Sequence, residues 1–157
     1  RDARDLGYSA VELAKLASRE KLERISQGLY RFPELPQTAR DDYMRAVLAT
    51  GAPDAILSHD TALLVHDLCD INPEIIHVNV GKHRVRRNIS GVQLHSDHIS
   101  PRERSWWEGI PVVTVLTAIE QGIATKVPKH LLHQAIGAAR ARGQLTALEL
   151  GELESNL

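Results

Sequence analysis

From Ser9 to Arg19 the apolar residues Leu13, Leu16 and Ala17 recur at three- and four-residue spacing, with Glu12, Lys15 and Arg19 on the other side. This predicts a helix with one face toward a core and a polar outer face. Ser9 followed by Glu12 has capping-box spacing and places the start of that helix. Beyond Glu20 the pattern turns strand-like, with Leu22 to Ile25, a turn at Ser26-Gln27-Gly28, and then Leu29 to Phe32, in which Tyr30 and Phe32 share a face. Pro33 ends the strand.

Residues 33–42, PELPQTARDD, are proline-rich and polar, and read as a linker into a new element. The expected domain boundary lies near Pro33 to Thr38, giving a first domain over 1–35 and a second over 36–157. Thr38 or Asp41 caps a helix through Tyr43 to Ala49, closed by Gly51 and Pro53. Ser58 is the expected cap of a helix through Leu68, with Ala62, Leu63, Val65 and Leu68 apolar. After the turn at Asn72-Pro73, the β-branched run Ile75 to Val80 predicts a strand. A turn at Ser90-Gly91 leads to the short strand Val92 to His95, and Val112 to Val115 makes another. From Thr117 the chain is helical, then again over Lys129 to Arg142, where Leu132, Ala135, Ile136 and Ala139 share a face and Gly143 stands at C′. Thr146 caps a last helix through Leu148, Leu150 and Leu153. No internal repeat appears. The fold class this order predicts is α+β, with a small mixed or antiparallel sheet and helices packed around it.

A capped helix followed by a hairpin with basic residues near its tip is the local order of a winged helix-turn-helix. In that reading Ser9, Glu12, Lys15 and Arg19 lie nearest base edges, Lys21, Arg24 and Arg31 meet phosphates, and Gln27 sits at the wing tip. Glu12 is alternatively consumed by its own capping box. The bland alternative for the hairpin is a solvated basic surface. Leu6 and Gly7 suit the end of a preceding helix, and the first helix of such a domain is missing. The expectation is a partial N-terminus, or a minimal variant that borrows the missing surface from a partner subunit.

Charge changes this picture. The formal net charge is −1, from 19 Lys and Arg against 20 Asp and Glu, so nucleic-acid binding must rest on local patches. One such patch spans residues 82–104, where Lys82, Arg84, Arg86, Arg87, Arg102 and Arg104 face only Asp97 and Glu103. It reads as a basic hairpin or loop between strands, serving nucleic acid, the acidic surface of a protein partner, or neither. Cys69 is the single cysteine, which excludes an intramolecular disulfide and fits a reducing cytoplasm. No apolar run approaches membrane-spanning length and no signal-peptide pattern opens the chain. Of Trp106 and Trp107, one is expected buried and one exposed.

Catalytic and metal signatures are weak. There are eight histidines, and His59 with His66, or His95 with His98, invite a metal reading. Yet there is no His-Glu-x-x-His motif and no cysteine partner, so the expectation is no metal, no cofactor and a structural role, with His59 bonding a backbone carbonyl. Ser58 and His59 are sequence neighbours whose side chains point apart on a helix, and neither a Gly-x-Ser-x-Gly elbow nor a glycine-rich phosphate loop occurs. An enzyme is not expected. A histidine-dependent nuclease or hydrolase remains a remote alternative.

In order along the chain stand Gly28-Leu29-Tyr30-Arg31, the helix motif of Ser58, His59, Ala62 and Leu63 with His66 beyond it, and His77 to Val80. Arg84 to Arg87, the strand ending at His95, Gly109 to Thr114 and Ala139-Arg140-Ala141-Arg142-Gly143 follow. Together they resemble the antitoxin and transcriptional-regulator family of AbiE-type, or type IV, toxin–antitoxin systems, which act in abortive phage infection. The resemblance implies an N-terminal winged helix that binds operator DNA upstream of its own operon and a C-terminal domain that neutralises a nucleotidyltransferase-like toxin. A monomer and a dimer both remain open. The sequence departs from the family pattern at the missing first helix, at Asp67, where glycine is usual, and at Ile119-Glu120-Gln121, which replaces an aspartate-leucine ending. The alternative function is a protein-interaction module whose winged domain does not bind DNA on its own.

Overall fold

The computed structural model describes residues 3–26, 28–85 and 88–157. The fold is α+β, and the chain divides into two compact units, Arg1–Asp41 and Asp42–Leu157.

In the first unit a 3-10 turn at Ala3–Leu6 leads through Gly7, at φ +83, to helix α1 (Ala10–Ser18). The capping box forms as the spacing predicts. The Ser9 N–H donates to the Glu12 carboxylate at 2.8 Å and the Glu12 N–H donates to Ser9 Oγ at 3.2 Å. Leu13, Leu16 and Ala17 are half-buried, and Lys15 and Arg19 are exposed. Strands β1 (Glu23–Ser26) and β2 (Leu29–Arg31) pair antiparallel, with Glu23 opposite Arg31 and Arg24 opposite Tyr30. Phe32 lies beyond the end of β2 and is 58% exposed, so the strand face predicted for Tyr30 and Phe32 stops one residue short.

Helix α2 (Ala39–Ala49) begins at Thr38, whose N–H is held by the Asp41 carboxylate at 2.9 Å. Then follow β3 (Ile56–Leu57), α3 (His59–Val65), β4 (Ile76–Asn79), β5 (Val92–His95), β6 (Arg104–Trp107), β7 (Ile110–Val113), α4 (Val115–Ala124), α5 (Lys129–Ala141) and α6 (Ala147–Ser155). The five strands of the second unit form one mixed sheet in the order β5-β4-β3-β7-β6. β3 runs antiparallel to β4 and parallel to β7, β4 runs parallel to β5, and β6 pairs antiparallel with β7.

Three local expectations change. The segment between β4 and β5 is not a hairpin, because a parallel pair needs a crossover connection rather than a tight turn. The strand predicted to reach Val115 ends at Val113, where Thr114 accepts the Thr117 N–H and opens α4. Trp106 and Trp107 belong to a strand, which turns back through Glu108 and Gly109, both at positive φ, as a two-residue hairpin loop requires.

The core lies around the sheet's central strands. Leu57, Val78 and Val112 are fully buried, as are Ala62, Leu63, Ala118, Ala135 and Ala139 from the helices. A side chain of this kind contributes about 1.5–3 kcal/mol on burial when it is as large as valine or leucine. α4 approaches its neighbours closely at Gly122, where a Cβ would stand 3.0 Å from Leu132 Cδ2 and 3.2 Å from Leu63 Cδ1. Thr146 and Glu149 form a second capping box at α6. No helix among the described residues is long and apolar enough to cross a membrane.

Candidate nucleic-acid interface and a histidine cluster

The first unit presents its charges on one helix and one hairpin. Lys15 and Arg19 stand exposed at the end of α1, and Lys21 and Arg24 are exposed in the segment that leads into and along β1. Helix α1 stops in a two-bond C-cap: the Glu20 N–H donates to the Ala17 carbonyl at 3.1 Å and the Lys21 N–H to the Leu16 carbonyl at 3.0 Å, with Glu20 at φ +58. That cap sets the angle at which the hairpin leaves the helix. Ser9 and Glu12 are engaged with one another, and their hydrogen bond holds the Glu12 carboxyl below the usual carboxylate range. Arg31 is engaged too, with Glu23 at 3.0 Å and the Leu35 carbonyl at 3.3 Å. Gln27, expected at the wing tip, lies outside the described residues.

In the second unit the basic residues of the 82–104 stretch separate. Lys82 and Arg84 are exposed on the connection that joins β4 to β5, at one sheet edge. Arg104 begins β6, at the opposite edge, four strand spacings or roughly 19 Å from β5. Its guanidinium donates to the Asp54 carbonyl at 3.1 Å. Arg102 is exposed nearby and borders an open cleft of about 480 Å³ with His66, Trp106, Thr114, Gln144 and Glu149. Arg86 and Arg87 lie outside the described residues. Trp106 is 70% exposed, while Trp107 packs edge-on against Tyr43 with ring centroids 5.6 Å apart.

The Ser-His helix motif is built into the core. Ala62 and Leu63 are fully buried, and His66 Nε2 donates to the Val113 carbonyl at 2.8 Å, tying the end of α3 to β7. Burial pushes the His66 imidazole below its ordinary value. Ser58 occupies the N-cap position of α3, but its hydroxyl makes no cap bond. The amide of His59 is satisfied instead by Gln121 Oε1 at 2.8 Å, and Ser58 Oγ meets His59 Nδ1 at 2.9 Å. The expected bond from the His59 ring to a backbone carbonyl is therefore replaced by one to a hydroxyl.

His59 does not join His66, nor does His95 join His98. The rings that converge are His59, His77 and His95. Topology explains this. His59 follows β3, His77 is in β4, and His95 is in β5, the strand on the far side of β4. Asn79 pairs with His95, so the alternating residues His77 and Asn79, with His95, share one sheet face. His59 stacks on His95 at 3.6 Å between centroids, and His77 Nδ1 lies 3.0 Å from His95 Nε2. Asp97 Oδ2 stands 3.6 Å from His59 Nε2 and accepts from Asn79 Nδ2 at 3.1 Å. Burial, then the neighbouring His95 ring, pushes the His59 imidazole down to about 4 against the pull of Asp97. Burial also lowers His77 and His95. Burial thus disfavours the charged form at all three rings.

No curated protein matches the chain. Residues 1–33, which hold the helix and hairpin of the first unit, match the family model of the transcriptional regulators described as AbiEi antitoxins.

Proposed function

We propose that this chain is a DNA-binding autoregulator and antitoxin of AbiE type. The observation that carries the reading is that the family match over residues 1–33 falls on α1 and the β1–β2 hairpin, the elements that display Lys15, Arg19, Lys21 and Arg24. In this reading residues 1–35 are a winged helix-turn-helix, α1 enters the major groove, and the hairpin tracks phosphates as the wing. Lys15 and Arg19 are the side chains closest to bases; Lys21 and Arg24 supply counterion release. Ser9, Glu12 and Arg31 hold the unit's own shape, since their polar groups are already engaged. The DNA is the region upstream of its own operon.

The remaining residues, 36–157, counteract a nucleotidyltransferase-like toxin. Exposed Trp106 and Arg102 favour direct contact there, because an aromatic anchor beside an arginine is the composition of protein-binding hot spots. The test is a gel shift of the double variant Lys15→Ala/Arg19→Ala on upstream DNA, with circular dichroism to follow the fold. Loss of the shift with an intact fold is expected; an unchanged shift removes α1 from the interface.

The net charge of −1 favours a second reading, in which the chain is an interaction module and the winged unit only holds a partner protein. Salt separates the two. DNA affinity falls steeply with salt, whereas an interface with an apolar core is less sensitive.

A further inference from the structure

We propose that His59, His77 and His95, with Asp97, form a binding site for a divalent transition-metal ion of the zinc type. One ring nitrogen from each histidine lies within 4.8 Å of the others, and the His77–His95 pair approaches to 3.0 Å. A tetrahedral zinc ion with bonds of about 2.0–2.1 Å to nitrogen places its ligand atoms roughly 3.3 Å apart. Asp97 Oδ2 stands 3.6 Å from His59 Nε2, beside the three-histidine set, whose fourth position is open to solvent.

The surroundings are those of oriented ligands rather than of three histidines that happen to meet. Ser58 Oγ takes the Nδ1 side of His59, which leaves Nε2 facing Asp97. The Asn79 amide fixes the Asp97 carboxylate at 3.1 Å, and the backbone N–H of His77 donates to Thr61 Oγ1 at 2.8 Å, holding the main chain that carries the ring. Such outer partners set ring orientation and raise ligand basicity at metal centres. His59 is itself held at φ +52, a left-handed conformation that a side chain with a Cβ adopts at a cost of about 1–2 kcal/mol. The Gln121 side chain braces its amide there. Backbone strain maintained by specific bracing concentrates at functional sites.

Three borderline imidazole donors suit zinc, cobalt, nickel or copper ions and are a poor set for magnesium or calcium, which take oxygen ligands.

The experiment is a titration of the full chain with Co(II) chloride at neutral pH, read by visible absorption, followed by displacement with Zn(II) chloride. Saturation at one ion per chain with the absorption of a four-coordinate site, and its loss on zinc addition, is the expected result. His95→Gln and His77→Gln should each weaken uptake by more than about 100-fold, while circular dichroism stays unchanged. His59 is 5% exposed, so a substitution there tests folding as much as binding; the two partly exposed partners keep the test clean. His130→Ala/His133→Ala, on the exposed side of α5, should leave uptake unaltered. No saturable uptake, or uptake as tight in the His77 and His95 variants as in the unaltered chain, overturns the site.

Discussion

Arg142, the last basic residue of the Ala-Arg-x-Arg-Gly helix end, closes on Asp67. Its guanidinium donates to the Asp67 carboxylate and to the Asp67 carbonyl, both at 2.8 Å, and to the His66 carbonyl at 2.9 Å. These carbonyls end α3, so one arginine from the end of α5 satisfies acceptors that the helix leaves unpaired. Arg142→Ala should cost about 1–2 kcal/mol in urea unfolding. Asp67→Gly should change stability by less than about 0.5 kcal/mol, since the carboxylate is exposed, the carbonyl bonds remain, and glycine suits the φ of +53 at that position. Equal losses from the two variants would mean that the ion pair, not the carbonyl bonds, does the holding.

Asp67 takes a backbone conformation that glycine adopts more readily. The residue keeps the left-handed conformation, and the Asp67 and Leu68 N–H groups close α3 on the Leu64 and Leu63 carbonyls at 2.8 and 3.1 Å. The same cap ends α4 at Lys126, with φ +62, and α5 at Gly143, with φ +63. Lys126→Gly should therefore stabilise the protein by about 0.5–1 kcal/mol, the strain relieved less the entropy glycine adds to the unfolded chain. Gly143→Ala should destabilise by about 1 kcal/mol. Thermal unfolding of the pair reads both signs at once.

His66 supplies a pH dependence with a defined sign. Its folded value lies below the ordinary 6.5 because burial disfavours the imidazolium, so the unfolded chain binds the proton more readily. Stability is complete above 6.5 and falls as the pH drops through 6.5 toward the folded value, then levels. His66→Asn should make that part of a chemical-denaturation pH series shallower, with His59, His77 and His95 contributing the remainder with the same sign. A series of the same slope in the variant would assign the acid sensitivity to other groups.

The separation of the basic stretch makes a further prediction. Lys82→Glu/Arg84→Glu and Arg102→Glu/Arg104→Glu lie at opposite sheet edges and should not produce the same loss. A toxin-neutralisation assay should respond to the second pair, which adjoins exposed Trp106, more than to the first. Equal effects would indicate a general charge requirement instead of a contact.

Local chemistry was legible in the sequence where a rule of a few residues decides it. The Ser9/Glu12 box, the apolar face of α5 and the turn at Gly91 all follow from spacing alone. β3 escaped because two residues cannot show an alternation. The helix stops at Glu20, Asp67 and Lys126 escaped because the sequence signal for that cap is glycine. The histidine cluster was hidden for a different reason. His77 and Asn79 alternate on β4 and His95 ends β5, with Asp97 just beyond it, but only the parallel pairing of β4 with β5, and the place of β3 beside β4, bring them to His59. Sheet order is a tertiary outcome that no local pattern encodes. Gln121 likewise caps His59 across 62 residues.

The most direct measurement is a titration of the protein on DNA from upstream of its own gene, beside a scrambled duplex, at low and moderate salt. The account predicts tighter binding to the upstream DNA at both salts, with affinity for each duplex falling steeply as salt rises. Indistinguishable affinity for the two sequences at both salts would contradict it.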